Sequence, residues 1–409
     1  MMHKSQCTAA RIALACAFLA AGLAGCGGGG SSAGPAINPS IPRSSNVVVL
    51  PAGTVVTPSG NGGLNNVGLA GGNLPTLAAG VVVASGPLAG APNGMLRQVD
   101  SVSGSSFTSH PVSLEDVFLR AQLQVHQQLD SSNLTSRSVR PGVRVAVGAN
   151  SRGGGGPVVV SLDTVLSGTG ATAVTLSGTA SITASMDVSI NIDANGVASL
   201  SVVPTVTSQV QAKLNSTESA SGLNASVLIA QLTTIKPIVE YLGPVPVVFT
   251  PIIDVYAKLN GAAKPGLAFT YSGNSSVGAG VQYVRGGGWT AVPSFSHSAD
   301  KLVQTNNPYA AFTGSATPYQ PDMTIELYGV PIATANYSAA ALNYTFTRPT
   351  PPPGTNLVVD AAFMGSIAAT GSPIGVEVPA ISFNSTINTS FHLFNQFLPD
   401  NGQVLVGIQ

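Results

Sequence analysis

The sequence predicts a mainly β protein: a large antiparallel β-sheet or sandwich with one long amphipathic hairpin, about 175–214, and one packed α-helix, about 114–130. Three observations carry that prediction. On either side of Asp193-Ala194-Asn195-Gly196 the chain alternates apolar and polar residues over two long runs, and a period of two marks extended backbone with one buried face. Charged residues are only 8% of the 409, against about a quarter in ordinary soluble domains; Gly, Ser, Thr, Val and Ala, residues of strands and turns, take their place. Alternating runs closed by Gly- or Asn-containing turns then recur along the chain, the cadence of an antiparallel meander.

The net charge is zero, so general attraction to nucleic acid or to an acidic surface is not expected. The first residues bear on the compartment. His3, Lys4 and Arg11 precede an apolar run from Ile12 to Ala21, and Leu23-Ala24-Gly25-Cys26 follows. The run is too short to span a bilayer and has the charged flank and small-residue exit of an export signal. Leu23-Ala24-Gly25-Cys26 resembles the lipobox of bacterial lipoprotein precursors, a resemblance confined to about the first thirty residues. It implies removal of residues 1–25, a diacylglycerol on the Cys26 sulfur and acylation of the new amino terminus. Gly27, where an Asp would retain an enteric lipoprotein in the inner membrane, implies the outer membrane. Two or more acyl chains, at roughly 0.8 kcal/mol per buried methylene, make such anchoring effectively permanent. Cys7 and Cys16 leave with the signal, so the mature chain keeps no disulfide and no cysteine metal site.

Residues 26–95 read as a Gly/Pro/Ser-rich tether that adds short edge strands from Val47-Val48-Val49 onward. Gly27 to Gly30 lacks the Lys-Ser or Lys-Thr of a phosphate loop. The β-rich body is expected over 96–409. Ser113 is placed to cap the helix: its side chain can accept from the amide three residues on, Glu115 and Asp116 suit the positive end of the dipole, and Leu114, Val117, Phe118, Ala121, Val125 and Leu129 form one apolar stripe. Arg137, Arg140, Arg144 and Arg152 then offer a contact for a polyanion such as lipopolysaccharide phosphate. Set against this, Val143, Val145 and Val147 alternate with Arg144 as in a strand whose arginine faces solvent.

In the hairpin, Ile182, Met186, Val188, Ile190 and Ile192 before the turn, and Leu200, Val202, Val206, Val210 and Leu214 after it, form one continuous apolar face. Each arm reaches on the order of 50–60 Å. That face must lie on something, either a second layer or an apolar ligand. Val227 to Leu242 is ambiguous between helix and strand until Pro237, and Val245 to Leu259 alternates with apolar odd positions toward a turn at Asn260-Gly261. Pro349 to Pro353 suggests a subdomain edge near 349–354, with closing strands beyond it.

The residues of common chemistries do not assemble. His110, His126, His297 and His392 are not at metal-ligand spacing. Gly273-Asn274-Ser275-Ser276-Val277-Gly278 has the wrong spacing for a nucleophile elbow. Ser296, His297, Ser298 and Asp300 are sequence neighbours, which rarely converge as a triad does. Glu115 with Asp116 begins the helix, and Asp187 and Asp193 belong to the hairpin, so neither makes a glycosidase pair. The expectation is a membrane-anchored envelope lipoprotein, not an enzyme, with no cofactor and a structural, adhesive or binding role toward envelope components. The alternative is a carrier of lipid or another hydrophobic ligand using the apolar hairpin face.

Overall fold

A computed structural model of the chain describes residues 40–42, 46–59, 63–149, 155–169, 172–217, 220–263, 267–306, 311–347, 354–369, 373–375, 382–383 and 389–399. They form three sheets, two of them built from long strands.

After β1 (Ile41–Pro42), the strands β2 (Val47–Val49), β3 (Val55–Pro58), β4 (Asn66–Ala70), β5 (Val82–Ser85), β6 (Met95–Ser103) and β7 (Ser106–Pro111) make a small sheet in the order β2-β5-β6-β7-β4-β3. Val56, Val67, Val83, Met95, Val99 and Phe107 build its own core. Val82, Ala84 and Leu96, on the opposite face, pack into the main core of the protein. The edge strands expected before residue 95 are thus a six-stranded sheet that runs past that boundary to Pro111. All four residues of β5 are buried; a strand covered on both faces reads as a short apolar run without alternation, which is how it resembles a linker.

The helix α1 (Leu114–Val117) is a single turn. Its cap is the expected one: Ser113 Oγ accepts from the Asp116 amide, and the Asp116 carboxylate accepts from the Ser113 amide in return. The predicted continuation to residue 130 is corrected by the structure, because residues from Phe118 onward are the strand β8 (Phe118–Leu129). Ala121, Leu123 and Val125 are buried, and Arg120, Gln122, Gln124 and His126 between them are exposed. Two-residue alternation pairs β8 with the long hairpin along nine residues, and this tertiary pairing overrides the helical spacing of Val117, Ala121 and Val125.

The chain then passes through β9 (Leu134–Val139), β10 (Arg144–Ala149) and β11 (Gly155–Thr169) to the hairpin of β12 (Thr172–Asp193) and β13 (Gly196–Ser216). Next come β14 (Ala220–Thr234), β15 (Ile238–Leu242), β16 (Val245–Ala263), β17 (Leu267–Val284) and β18 (Gly288–Asn306). The last are β19 (Phe312–Leu327), β20 (Val330–Thr347), β21 (Gly354–Ala369), β22 (Ser382–Phe383) and β23 (Thr389–Pro399). The first long sheet runs β1-β8-β12-β13-β17-β18, with β11 beside β12 and β10 beyond β11. The second runs β22-β21-β20-β19-β16-β14-β9, with β15 on β16 and β23 on β21. Tight turns within one sheet join β12 to β13, β15 to β16, β17 to β18 and β19 to β20. After β13, β16 and β18 the chain changes sheet. The predicted turn at Asn260-Gly261 is absent: β16 continues to Ala263, and Gly261, at φ +90°, sits against Gly314 of β19. The subdomain edge expected near 349–354 lies, apart from Gly354, outside the described residues; β20 and β21 on either side pair from Ala333–Ala369 to Thr347–Asn356.

The inner faces of the two long sheets share one core, which also takes in Leu114, Val117 and Phe118. Large and small side chains are mixed across the interface, and Tyr344 of the second sheet meets Phe269 of the first with ring centroids 5.9 Å apart. Tyr319, Tyr337, Tyr344 and Phe249 are among the largest buried residues, while Ala180, Ala184, Ser208, Ser275 and Ala279 are buried in the first sheet. A mixture of large and small side chains is what lets two layers interdigitate densely. Pro204 interrupts the β13–β17 ladder without shifting its register, and the Tyr337 hydroxyl donates to its carbonyl at 2.7 Å. Burial pushes the Tyr337 phenol far above its ordinary range, so this bond holds a neutral hydroxyl at any physiological pH.

Candidate functional site: the outer face of the first long sheet

Since alternate residues of a strand face opposite ways, the sheet that buries Ile182, Met186 and Val206 must present the residues between them to solvent. Register gathers them into ranks. Thr179, Gln211 and Ser272 lie side by side across β12, β13 and β17, and Ser181, Gln209 and Asn274 form the next rank. Thr183, Thr207 and Ser276 follow, with the Thr207 and Ser276 hydroxyls 2.9 Å apart. Ser298 and Ser296 on β18 extend the second and third ranks. Within a rank the strands stand about 4.8 Å apart, and successive ranks are roughly 6.8 Å apart along the strands. The first two ranks line a groove of about 450 Å³. Gly178, at φ +131°, lets β12 lie close to β13 beside it: a Cβ there would meet the Gln211 carbonyl at 2.0 Å.

No protein family model, curated protein or solved structure aligns with this chain, and a function must come from the geometry.

The ten residues of the expected apolar ligand face are Ile182, Met186, Val188, Ile190, Ile192, Leu200, Val202, Val206, Val210 and Leu214. Each is at most 4% exposed and belongs to the core shared by the two long sheets. This corrects their assignment to a ligand: the layer that covers them is the protein itself. Polar outside and apolar within is also the reverse of a membrane barrel.

Among the described residues, Arg137 and Arg144 stand on different sheets. Arg137 is exposed on β9 in the second sheet, and Arg144 is exposed on β10 in the first, between Val143 and Val145 as the strand pattern expects. Arg140, at the turn between them, donates from Nε to Thr164 Oγ1 at 3.0 Å and from Nη2 to the Val165 carbonyl. Arg152 and Cys26 lie outside the described residues. Among the described residues the four-arginine contact thus has Arg137 and Arg144 on strands of different sheets and Arg140 hydrogen-bonded in the turn between them.

Among the described residues no group of three or more His, Cys, Asp or Glu could hold a metal ion. His126 meets Asp187 across β8 and β12, and His110 meets Asp100 across β7 and β6. Ser296 and Ser298 point to the opposite side of β18 from His297, whose ring stacks on Phe295 at 5.5 Å. The turn of the long hairpin is clamped from the neighbouring one: Arg285 Nη1 donates to both carboxylate oxygens of Asp193, and Nη2 to the Gly196 carbonyl. The Asn195 amide, and then Arg285, hold the Asp193 carboxyl below the usual carboxylate range.

One acidic pair had no local signal in the sequence. Asp254 of β16 and Asp322 of β19 stand directly opposite each other on the second sheet, with Gln231 donating to Asp254 at 2.7 Å and Gln320 to Asp322 at 3.0 Å. Burial raises the Asp322 carboxyl above its ordinary value, and Asp254 adds to the rise. A carboxyl raised in the folded state contributes stability only when protonated and loses it as pH climbs through the folded pKa. Asp322→Asn is therefore expected to stabilise the protein at pH 7 by on the order of 1 kcal/mol. The gain should shrink as pH falls through the raised pKa, which urea midpoints at pH 7 and pH 4 would check.

Proposed function

We propose that the protein is a non-enzymatic lipoprotein of the bacterial outer membrane, held by acyl chains on Cys26, with a structural, adhesive or binding role. The single observation that supports a binding role is a patch on the outer face of the first long sheet: an uncharged array of hydroxyls and carboxamides with a groove across β12, β13 and β17, the charged residues Asp187, Lys213 and Lys301 lying in the positions around it. A neutral polar face of this kind suits wide contact with envelope components and offers little to nucleic acid. Burial of the apolar hairpin residues counts against a carrier that uses them.

Anchoring is tested by fractionation. The wild-type chain should incorporate radiolabelled palmitate and sediment with the outer membrane, whereas Cys26→Ala should carry no label and leave that fraction. Equal sedimentation of the two would remove the lipid anchor from the proposal.

A further inference from the structure

The geometry points to a neutral polysaccharide as the ligand of the groove on the first long sheet. Thr179, Ser181, Gln209, Gln211, Ser272 and Asn274 line it. None of the six makes a side-chain hydrogen bond to another described residue, unlike Thr207 and Ser276 in the adjoining rank. The groove thus presents six unoccupied hydrogen-bonding groups. Four hydroxyls and carboxamides flank Gln211 and Gln209 in two ranks, and those glutamines lie two residues apart on one face of β13.

The chemistry of these groups selects the ligand. A sugar hydroxyl is one donor and two acceptors. A carboxamide offers both kinds of group about as far apart as two neighbouring hydroxyls, so each can satisfy the other without a charge. A phosphate or sulfate polymer would call for Arg or Lys inside the groove. The nearest cations by register, Lys301 beside Ser272 and Lys213 one rank on, do not line it. No aromatic ring lines the groove either, so sugar rings gain no stacking there and each contact is weak. A polymer that meets many copies of the protein on one surface compensates by multivalency, as an adhesive role requires.

This assignment rests on the envelope-binding role proposed above, and the two fail separately. The detergent-solubilised full chain would be run in native gels containing dextran, amylose or hydroxyethylcellulose, with dextran sulfate as the anionic arm. At least one neutral polymer should retard it, and Gln209→Ala with Gln211→Ala should weaken that apparent affinity at least tenfold. Thr324→Ala with Thr334→Ala, on the outer face of the other sheet, should leave it unchanged. An unaltered thermal midpoint shows the glutamine variant folded; if that variant is unfolded, Asn274→Ala alone takes its place, with at least a threefold loss expected. Migration unaffected by every neutral polymer, retention that survives loss of the groove side chains, or retardation by dextran sulfate alone would overturn the assignment. Membrane fractionation should be the same for the groove variants and the wild type, so a failure of the anchor and a failure of the ligand give different results.

Discussion

Leu123→Asp is expected to destabilise the protein by roughly 3–5 kcal/mol, the cost of an unpaired charge in a packed interior. Gln124→Asp next to it should move stability by no more than about 0.5 kcal/mol. The contrast follows from β8: Leu123 is 6% exposed against the second layer and Gln124 faces solvent. Were residues 118–129 helical with the stripe Val117, Ala121 and Val125 inward, Leu123 would lie off that stripe and tolerate the charge. Urea unfolding of the two variants, followed by tryptophan fluorescence or circular dichroism, separates the two arrangements. Similar midpoints for both would exclude the strand.

The second large effect is expected at Gly178. Gly178→Ala places a Cβ 2.0 Å from the Gln211 carbonyl at a backbone angle of φ +131°, which residues with a side chain rarely adopt. The local strain and the displaced β13 backbone should together cost about 2–4 kcal/mol. Gly68→Ala, also in a strand, meets only ordinary contacts at 3.6 Å and beyond. It should be neutral or stabilising by up to about 1 kcal/mol through the unfolded chain. Thermal midpoints of the pair provide the check, and an equal small change at both sites would show that close approach of β12 and β13 is not needed.

What was legible in the sequence depended on the distance over which its cause acts. Alternation from Ser181 to Leu214 fixes strand, inward face and turn locally, and β12 and β13 follow it. Residues 121, 125 and 129 fit a four-residue spacing and a two-residue spacing equally well; Leu123 is what distinguishes them, and the Ser113 cap, a true helix start, favoured the wrong one. Val82 and Val83 show no alternation because both their faces are covered. The polar residues of the groove were visible as the outward set of the hairpin, but their ranks were not. Placing Asn274 beside Gln209, or Asp322 beside Asp254, requires the register of strands distant in sequence, and no local pattern carries that information.

The alternation of the chain between its two long sheets has a consequence for biogenesis. β13 acquires its second neighbour only when β17 arrives, and β16 only when β19 does, so neither layer can be finished before the other is well begun. A chain synthesised amino terminus first would hold bare strand margins until more than three hundred residues had been made, a slow and aggregation-exposed route to the native state. Such a polypeptide stands to gain from a chaperone that shields those margins until the last partners appear.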